Sequence, residues 1–233
     1  MSNNIVHRTI PNTGSPWNEF SAGNIKVTKI IIHEDIIYGI GIDNTTYQTS
    51  STSGGSWDQV GTLAIKDLAY WNGYLHGVTK DGSYVVRIVP NNGSWSQFTD
   101  TDGIVSKIII HEDIIYGIDP EHKVWQASAT TGGSWTQVSS SDVRDIAFWD
   151  GYLYGVSWNS KVVKTVLYSM TWHSFPVGAD VSKIIIHEGI MYGIGLDNAV
   201  YQTDGLTSGA SWIKVAPCCV TDLAIITTSQ TRK

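Results

Sequence analysis

The chain is organised around Lys29-Ile-Ile-Ile-His-Glu-Asp-Ile-Ile-Tyr-Gly-Ile40, and the same twelve residues return unchanged from Lys107 to Ile118. A third copy runs from Lys183 to Ile194 and differs only at Gly189 and Met191. The copies begin 78 and then 76 residues apart. Repeats at a fixed spacing indicate like units that pack on one another, so the repeat is the first guide to the fold.

A second type of unit lies between these copies. It reads Lys66-Asp-Leu-Ala-Tyr-Trp-Asn-Gly-Tyr-Leu-His-Gly-Val78, and a close variant spans Arg144 to Val156. Both types consist of an apolar strand, a turn and a second apolar strand that ends in Gly-Val or Gly-Ile. The period of 78 residues therefore contains two related units of about 39 residues each.

Tryptophan marks the shorter period, with spacings of 40, 38, 40, 37 and 40 residues between Trp17, Trp57, Trp95, Trp135, Trp172 and Trp212. The residues that follow the last marker and those up to the first make 38 more, which is one further period. We therefore expect a closed ring of six units. The sixth is split between the termini, with a first strand at Thr221–Ile225 and a later one at Val6–Pro11, so that no sheet edge stays open.

Four strands are predicted in each unit. In the first they are Lys29–His33, Ile36–Ile40, Thr46–Thr49 and one that begins near Trp57. The turn dipeptides Asn-Gly and Asp-Gly of the second unit type favour tight hairpins. A continuous isoleucine run is expected where both faces of a strand are covered.

These features predict a single all-β domain over residues 1–233, a six-bladed β-propeller of four-stranded blades. A β-sandwich or a β-prism could pack the same repeats, and the shared terminal unit favours the ring. The predicted units are 28–65, 66–106, 107–143, 144–182, 183–220, and 221–233 with 1–27.

Composition excludes several classes of function. The net charge is -6, and the four arginines are scattered, so the basic surface of a nucleic-acid-binding protein is missing. Cys218 and Cys219 are adjacent, which gives neither a disulfide framework nor metal-ligand spacing. The N-terminus does not read as a signal peptide, and no apolar run approaches the roughly 18 residues of a membrane span. We expect a cytoplasmic protein, or one secreted by a non-classical route, without membrane insertion.

The segment Gly151-Tyr-Leu-Tyr-Gly-Val156, followed by a short strand, a polar loop and a tryptophan, resembles the repeats of tectonin and tachylectin-2-like β-propeller lectins. The resemblance covers nearly the whole chain. It implies glycan binding at several equivalent sites on loops or between blades, with N-acetylglucosamine-, N-acetylgalactosamine-type or modified sugars as ligands, and leaves oligomerisation open. The sixth unit departs from the pattern at Ile225–Gln230, so two or three sites are expected instead of six.

The turns between the first two strands carry the first candidate carbohydrate-binding residues. A carboxylate at a turn can accept hydrogen bonds from neighbouring sugar hydroxyls, and an imidazole adds a donor or a stacking surface. The other reading is a solvated turn that duplication has preserved. The residues are His33, Glu34, His111, Glu112, His187 and Glu188.

Tryptophans supply the second set, because an indole beside an amide or carboxylate matches the apolar face and hydroxyl rim of a pyranose. Trp71 with Asn72 and Trp149 with Asp150 occupy the turns of the second unit type. Packing on the adjoining blade is the alternative. The periodic tryptophans are candidates for grooves between blades, although their presence in every unit favours a packing role; they are Trp57, Trp95, Trp135, Trp172 and Trp212.

A second-choice site lies at the opposite end of the predicted blades, where hairpin chemistry also explains the acidic residues. It contains Asp43, Tyr47, Asp119, Trp125, Asp197 and Tyr201.

Enzyme chemistry is not expected. Residues 50–57, 128–135 and 205–212 echo the S-x-D-x-G-x-x-W box of sialidase propellers, but threonine replaces its acid. The arginine cluster that would bind a substrate carboxylate is also missing. The sequence predicts a multivalent, metal-independent lectin without a cofactor. A propeller scaffold for protein–protein interaction is the alternative, and a glycosidase is less favoured.

Overall fold

The computed structural model describes residues 6–8, 18–20, 25–101, 103–139, 142–166, 169, 171–175, 180–204, 206, 211–217 and 219–225. Its strands form five four-stranded antiparallel sheets and one two-stranded sheet. The two-stranded sheet pairs β1 (His7–Arg8) with β2 (Asn18–Glu19). Over the described residues there is no helix long and apolar enough to cross a membrane.

Each four-stranded sheet is a blade whose strands A to D follow one another along the chain. Blade 1 comprises β3 (Val27–His33), β4 (Ile36–Gly41), β5 (Thr46–Ser50) and β6 (Gly54–Gln59). Blade 2 comprises β7 (Ile65–Trp71), β8 (Tyr74–Thr79), β9 (Val85–Ile88) and β10 (Ser96–Gln97). Blade 3 comprises β11 (Lys107–His111), β12 (Ile114–Ile118), β13 (Val124–Ser128) and β14 (Gly132–Ser139).

Blade 4 comprises β15 (Val143–Trp149), β16 (Tyr152–Ser157), β17 (Val162–Val166) and β18 (His173–Ser174). Blade 5 comprises β19 (Val181–His187), β20 (Ile190–Gly195), β21 (Val200–Thr203) and β22 (Ile213–Ala216). Consecutive A strands pack against one another from β3 to β19. The prediction of a β-propeller with four-stranded antiparallel blades is therefore confirmed.

The number of complete blades is smaller than predicted, since the structure has five four-stranded blades and not six. Thr221–Ile225 was expected to form the first strand of the sixth, but no strand is assigned there. The segment still bridges blades 5 and 1, because Val220 N donates to Asn198 O and Asp222 accepts from Ile30 N. Of the predicted later strand, only His7–Arg8 is one, while residues 9–11 lie outside the described part.

The two faces of the ring are defined by the strand connections. On the upper face the A–B turns meet the C–D loops, as where Ser51 N donates to Asp35 O at 2.8 Å. On the lower face the B–C turns meet the D–A connections, as where Ile65 N donates to Asn44 O at 2.8 Å. Every residue on a connection can therefore be assigned to one face.

Apolar side chains fill the space between blades. Tyr38 and Ile40 of blade 1 pack against Leu68 and Leu75 of blade 2, and the other described interfaces repeat this arrangement. The continuous isoleucine runs follow from it, because each A strand faces a neighbouring blade on both sides. At about 25 cal/mol per Å² of buried apolar area, these interfaces are the main stabilising contribution to the ring.

Three lysine–aspartate pairs connect the A strands. Lys29 Nζ lies 3.0 Å from Asp67, Lys183 Nζ lies 3.0 Å from Asp222, and Lys107 contacts Asp145. Each aspartate also accepts a backbone N–H from the following blade at 2.7 Å, from Ile108, Ile184 and Ile30 respectively for Asp67, Asp145 and Asp222. Each carboxylate therefore joins the blade before it to the blade after it.

The charges of these groups depend on one another. Burial disfavours the ammonium of Lys29, but Asp67 and Asp222 outweigh it and raise its pKa to about 12. Burial opposes ionisation of Asp222 too, yet Lys29 and Lys183 lower its pKa. For Lys107, burial and the charges of Lys29 and Lys183 lower the pKa, while the charges of Asp67 and Asp222 oppose this effect.

Replacing Asp145 with alanine is expected to destabilise the fold by about 3–5 kcal/mol, because it leaves the buried Lys107 without its counter-charge and Ile184 N–H without its acceptor. Asp222→Ala should behave similarly if residues 220–225 close the ring. Urea unfolding measures both. The control is Asp113→Ala at an exposed turn, with an expected change within about 0.5 kcal/mol. A loss below about 1 kcal/mol for Asp145→Ala would show that the pairs do not hold the blades.

Candidate functional site

The histidines of the A–B turns hold neighbouring blades together. The His33 ring stacks on Tyr70 of blade 2 with centroids 3.7 Å apart, and His111 stacks on Phe148 of blade 4 at 3.3 Å. Each imidazole also lies 3.7 to 3.8 Å from the glutamate that follows it. Interblade stacking therefore gives His33 and His111 a structural role.

The glutamates next to them point into solvent. Glu34, Glu112 and Glu188 have side chains that are 81 to 83% exposed. Their backbones have φ of 48 to 51°, which residues other than glycine and asparagine adopt at a cost. Asn72 and Asp150 occupy the same turn position with the same conformation, at 47° and 46°. The upper face thus presents a carboxylate or an amide at every described A–B turn.

Trp71 and Trp149 are half-buried and pack toward the following blade. Trp71 borders the cluster that includes Ile108 and Trp135, and Trp149 borders the one that includes Ile184 and Met191. A Cβ at Gly189, in the turn of blade 5, would lie 3.7 Å from the Trp149 ring. These indoles lie beside the turns of the next blade, as the packing alternative expects. Their surroundings therefore differ from a free-standing sugar platform formed by Trp71 with Asn72 or by Trp149 with Asp150.

The periodic tryptophans cover glycines on strand B of their own blades. A Cβ on the glycine would come within 2.9–3.1 Å of the indole edge, so a larger residue would clash with the ring. This explains why a Gly-Ile or Gly-Val pair lies at or next to the end of every described B strand. The pairs are Gly39 with Trp57, Gly77 with Trp95, Gly117 with Trp135, Gly155 with Trp172, and Gly193 with Trp212. Trp17 lies outside the described residues.

The second-choice residues lie on the lower face and bond to one another. Tyr47 Oη donates to Asp43 at 3.0 Å, Trp125 Nε1 donates to Asp119 at 2.7 Å, and Tyr201 Oη donates to Asp197 at 3.0 Å. The same carboxylates accept backbone N–H groups two to four residues further on. They act as turn-forming residues, in agreement with the hairpin alternative.

Sequence reasoning did not identify the polar pair that faces each groove between an odd blade and the next even one. Strands B and C place Tyr38 opposite Gln48, Tyr116 opposite Gln126, and Tyr192 opposite Gln202. The signal was present, because each glutamine directly follows an aromatic residue of the second-choice site. Successive side chains of a strand point to opposite faces, so the glutamine turns toward the groove.

Even blades carry a different set at the same register. Arg87 lies opposite His76, and Lys164 lies opposite Tyr154. The Arg87 guanidinium sits 4.7 Å from the Tyr74 ring and 4.3 Å from the Phe98 ring. Lys164 Nζ makes the same contacts with Tyr152 and Phe175, at 4.7 and 5.3 Å. Aromatic rings and a cation therefore occupy the grooves that follow blades 2 and 4.

The groove between blades 3 and 4 stays open. Its lining contains no charged side chain; the lining residues are Tyr116, Gln126, Val138, Ser139, Leu153, Thr165, Val166, Ser169 and Trp172. Val138 stands three residues after Trp135, where blades 2 and 4 have Phe98 and Phe175. Gln126 Oε1 is buried and has no hydrogen-bond partner among the described residues. The groove thus combines an indole, hydroxyls and an unused acceptor.

Blade 1 closes the corresponding groove in another way, since Gln48 Nε2 donates to Asn91 Oδ1 of blade 2. Gln48 Oε1 remains buried without a partner in the described part. The described residues contain no group of three or more His, Cys, Asp or Glu that could hold a metal ion.

His76 occupies the strand B position at which the other four blades have a tyrosine. It is fully buried, and burial together with the charge of Arg87 lowers its pKa to about 4. A group whose pKa is lower in the folded state prefers to be neutral there, so stability is complete above pH 6.5 and falls as pH drops toward 4. The 2.5-unit difference corresponds to roughly 3 kcal/mol at 1.36 kcal/mol per unit.

We expect His76→Tyr, which installs the residue of the other blades, to remove most of this acid destabilisation. Urea unfolding at pH 7 and pH 4.5 measures it for both proteins. The matched control is His122→Tyr on the lower face. Equal losses of stability in the wild type and His76→Tyr would assign the pH dependence to other groups.

Comparison with known proteins supports the fold. No protein-family model matches the chain, and no curated protein matches it either. A structure described as a nidogen/laminin complex aligns with a TM-score of 0.73 at 10% identity over 87% of both chains. A structure of YCF48 bound to D1 peptide aligns with a TM-score of 0.59 at 11% identity, over 92% of this chain and 71% of the other.

A computationally designed protein, Ika8, aligns with a TM-score of 0.52 at 14% identity, over 78% of this chain and 72% of its own. Identities this low show a shared fold and nothing about ligands. They establish a β-propeller. They give no support to membership of the tectonin or tachylectin-2 group, and none of these three proteins is described as a lectin.

Proposed function

We propose that the protein binds a neutral sugar in the groove between blades 3 and 4. The observation that carries the proposal is the set of groups in that groove. The half-buried Trp172 offers a face for the apolar side of a pyranose. The buried Gln126 Oε1 lacks a donor, and a sugar hydroxyl or N-acetyl N–H would supply one.

The charge of the groove defines the class of ligand. The absence of charged lining residues favours a neutral sugar. The Tyr–Gln pair recurs in blades 1, 3 and 5, but Gln48 and Asn91 close the groove after blade 1, so the proposal is confined to the groove after blade 3. This would be lectin activity without metal, cofactor or catalysis.

We also propose that sheet β1–β2 and residues 220–225 belong to a sixth blade. Phe20 and Val6 pack against Val27 and Ile37 of blade 1, as the residues of one blade pack against those of the next. Asp222 contacts blades 5 and 1 in the way that Asp67 and Asp145 contact their neighbours.

Filling the groove should abolish binding. Val138→Phe introduces the residue that blades 2 and 4 already hold at this position, so the fold should tolerate it. We expect the wild type to bind terminal sugars on a glycan array, and the variant to lose at least about tenfold in affinity by isothermal titration calorimetry, or about 1.4 kcal/mol.

Glu121→Gln on the lower face is the control and should bind like the wild type. Thermal melting of all three proteins verifies folding. Unchanged affinity of Val138→Phe would move the site out of this groove, and a silent array would refute sugar binding altogether.

A second candidate is a scaffold that binds a basic polypeptide on the upper face. Six carboxylates project from the described A–B turns, which contain no lysine or arginine; they are Glu34, Asp35, Glu112, Asp113, Asp150 and Glu188. Salt distinguishes the two functions. Binding of a lysine-rich peptide to these exposed carboxylates would weaken steeply as salt rises, whereas sugar binding in an uncharged groove would not.

A further inference from the structure

The lower face carries exposed apolar side chains that the fold does not need. Of nine large apolar side chains exposed in the described part of the chain, five lie on its connections. We call them the apolar ring: Ile42 (64% exposed), Leu63 (36%), Ile104 (54%), Trp158 (66%) and Leu196 (58%). Exposed apolar surface concentrated on one side of a protein marks an interaction site.

Backbone contacts fix the positions of these residues. Ile42, Trp158 and Leu196 each directly follow the B strand of blades 1, 4 and 5, at the start of the B–C turn. Leu63 and Ile104 lie on the connections from blade 1 to 2 and from blade 2 to 3. Ile104 sits beside Gly82 of a B–C turn, where an added Cβ would come within 3.2 Å of it. The residues are thus spread around the whole lower face.

The residues at the same turn position show that apolar character is not a folding requirement. In blade 2 that position is Lys80, and in blade 3 it is Pro120. The exposed Trp158 makes one described ring contact, to His122 of the neighbouring turn, with centroids 4.9 Å apart. A large indole held at a turn tip contributes little to the core and is typical of contact surfaces.

The turns of this face carry charges of both signs. Three exposed ion pairs lie among them, Lys123–Asp142, Lys161–Asp180 and Lys214–Asp197. The other exposed charged residues of its B–C turns include Lys80 as well as Asp43, Asp81 and Glu121. A surface that carries both signs can set opposite charges against each other when it meets a copy of itself. The upper face, with its six turn carboxylates, would repel a copy of itself.

We propose that two copies of the chain associate through their lower faces, with the apolar ring at the centre of a two-fold symmetric interface. In such an interface the same patch serves both partners, so it must be complementary to itself, which this face satisfies in charge. A standard interface takes about 800 Å² from each partner. That is only about 7% of the 11950 Å² surface, well within one face of the ring.

The association would leave the upper faces and the interblade grooves of both copies accessible. Sites would then point away from the dimer on both sides, and the protein could cross-link glycan-bearing surfaces. This consequence rests on the proposed sugar binding, whereas the dimer itself does not.

Blade 2 shows that lysine is tolerated at the start of the B–C turn, which suggests a test substitution for blades 1 and 4. Ile42→Lys combined with Trp158→Lys places at both positions the residue that blade 2 carries at Lys80. When the lower faces of two copies of the double variant meet, the added lysines repel one another, and the apolar contact of Ile42 and Trp158 is lost. The matched control is Ile213→Lys, which changes a 62% exposed apolar residue on the outer strand β22.

Analytical ultracentrifugation from about 1 to 100 µM measures the association. We expect the wild type and Ile213→Lys to sediment as dimers of twice 25.5 kDa, and the double variant to sediment as a monomer with an unchanged melting temperature. A wild type that stays monomeric across this range would overturn the proposal. The same result is expected if the lower face binds a different protein. So would a double variant that stays dimeric.

Sugar binding is measured independently of dimerisation. The double variant should keep the single-site affinity in calorimetry and lose agglutination of glycan-bearing cells. If the wild type binds no sugar but sediments as a dimer that the double variant abolishes, the proposed function fails and the dimer stands.

Discussion

The ring depends on three aspartates, two of them buried and one largely buried, that each join three elements. Each carboxylate forms an ion pair with a lysine of one A strand and accepts a hydrogen bond from a backbone N–H of another; the aspartates are Asp67, Asp145 and Asp222. A buried carboxylate without such partners would cost several kcal/mol, so the pairs fix the register between neighbouring blades as well as their contact. They also explain why the sequence alternates, because lysine begins the repeat of one unit type and aspartate follows the first residue of the other.

This alternation extends outward to the grooves. Odd blades place a Tyr–Gln pair in the groove that follows them, while even blades place a cation between aromatic rings there. The same backbone thus produces one kind of groove that is filled and another that, between blades 3 and 4, stays open. The same position between blades either holds packed rings or forms the proposed binding site. The residue three positions after the periodic tryptophan decides which, because it is Val138 in blade 3 and phenylalanine in blades 2 and 4.

The fold could be predicted because its signals are local and repeated: Asp-Gly and Asn-Gly turns, short apolar strands and the tryptophan period. The count of complete blades was wrong, because Thr221–Ile225 forms no strand in the described part of the chain, and Ile225–Gln230 lacks the Trp-x-Gly-Tyr-Leu residues of the second and fourth units. The site was harder to predict. His33 and His111 meet rings that stand 37 residues later in the chain, and only the packing of blades reveals that contact. Gln126 was hidden beside a more conspicuous aromatic residue, because its side chain points to the other face of the strand.

The central claim is that a sugar ring lies on Trp172 and meets Gln126 between blades 3 and 4. A crystal structure of the protein soaked with a neutral monosaccharide tests it most directly. The account predicts density for the sugar in this groove, with a hydroxyl or N–H donor within about 3 Å of Gln126 Oε1. Density at the upper-face turns near Glu112 with an empty groove, or no bound sugar at any site, would contradict it.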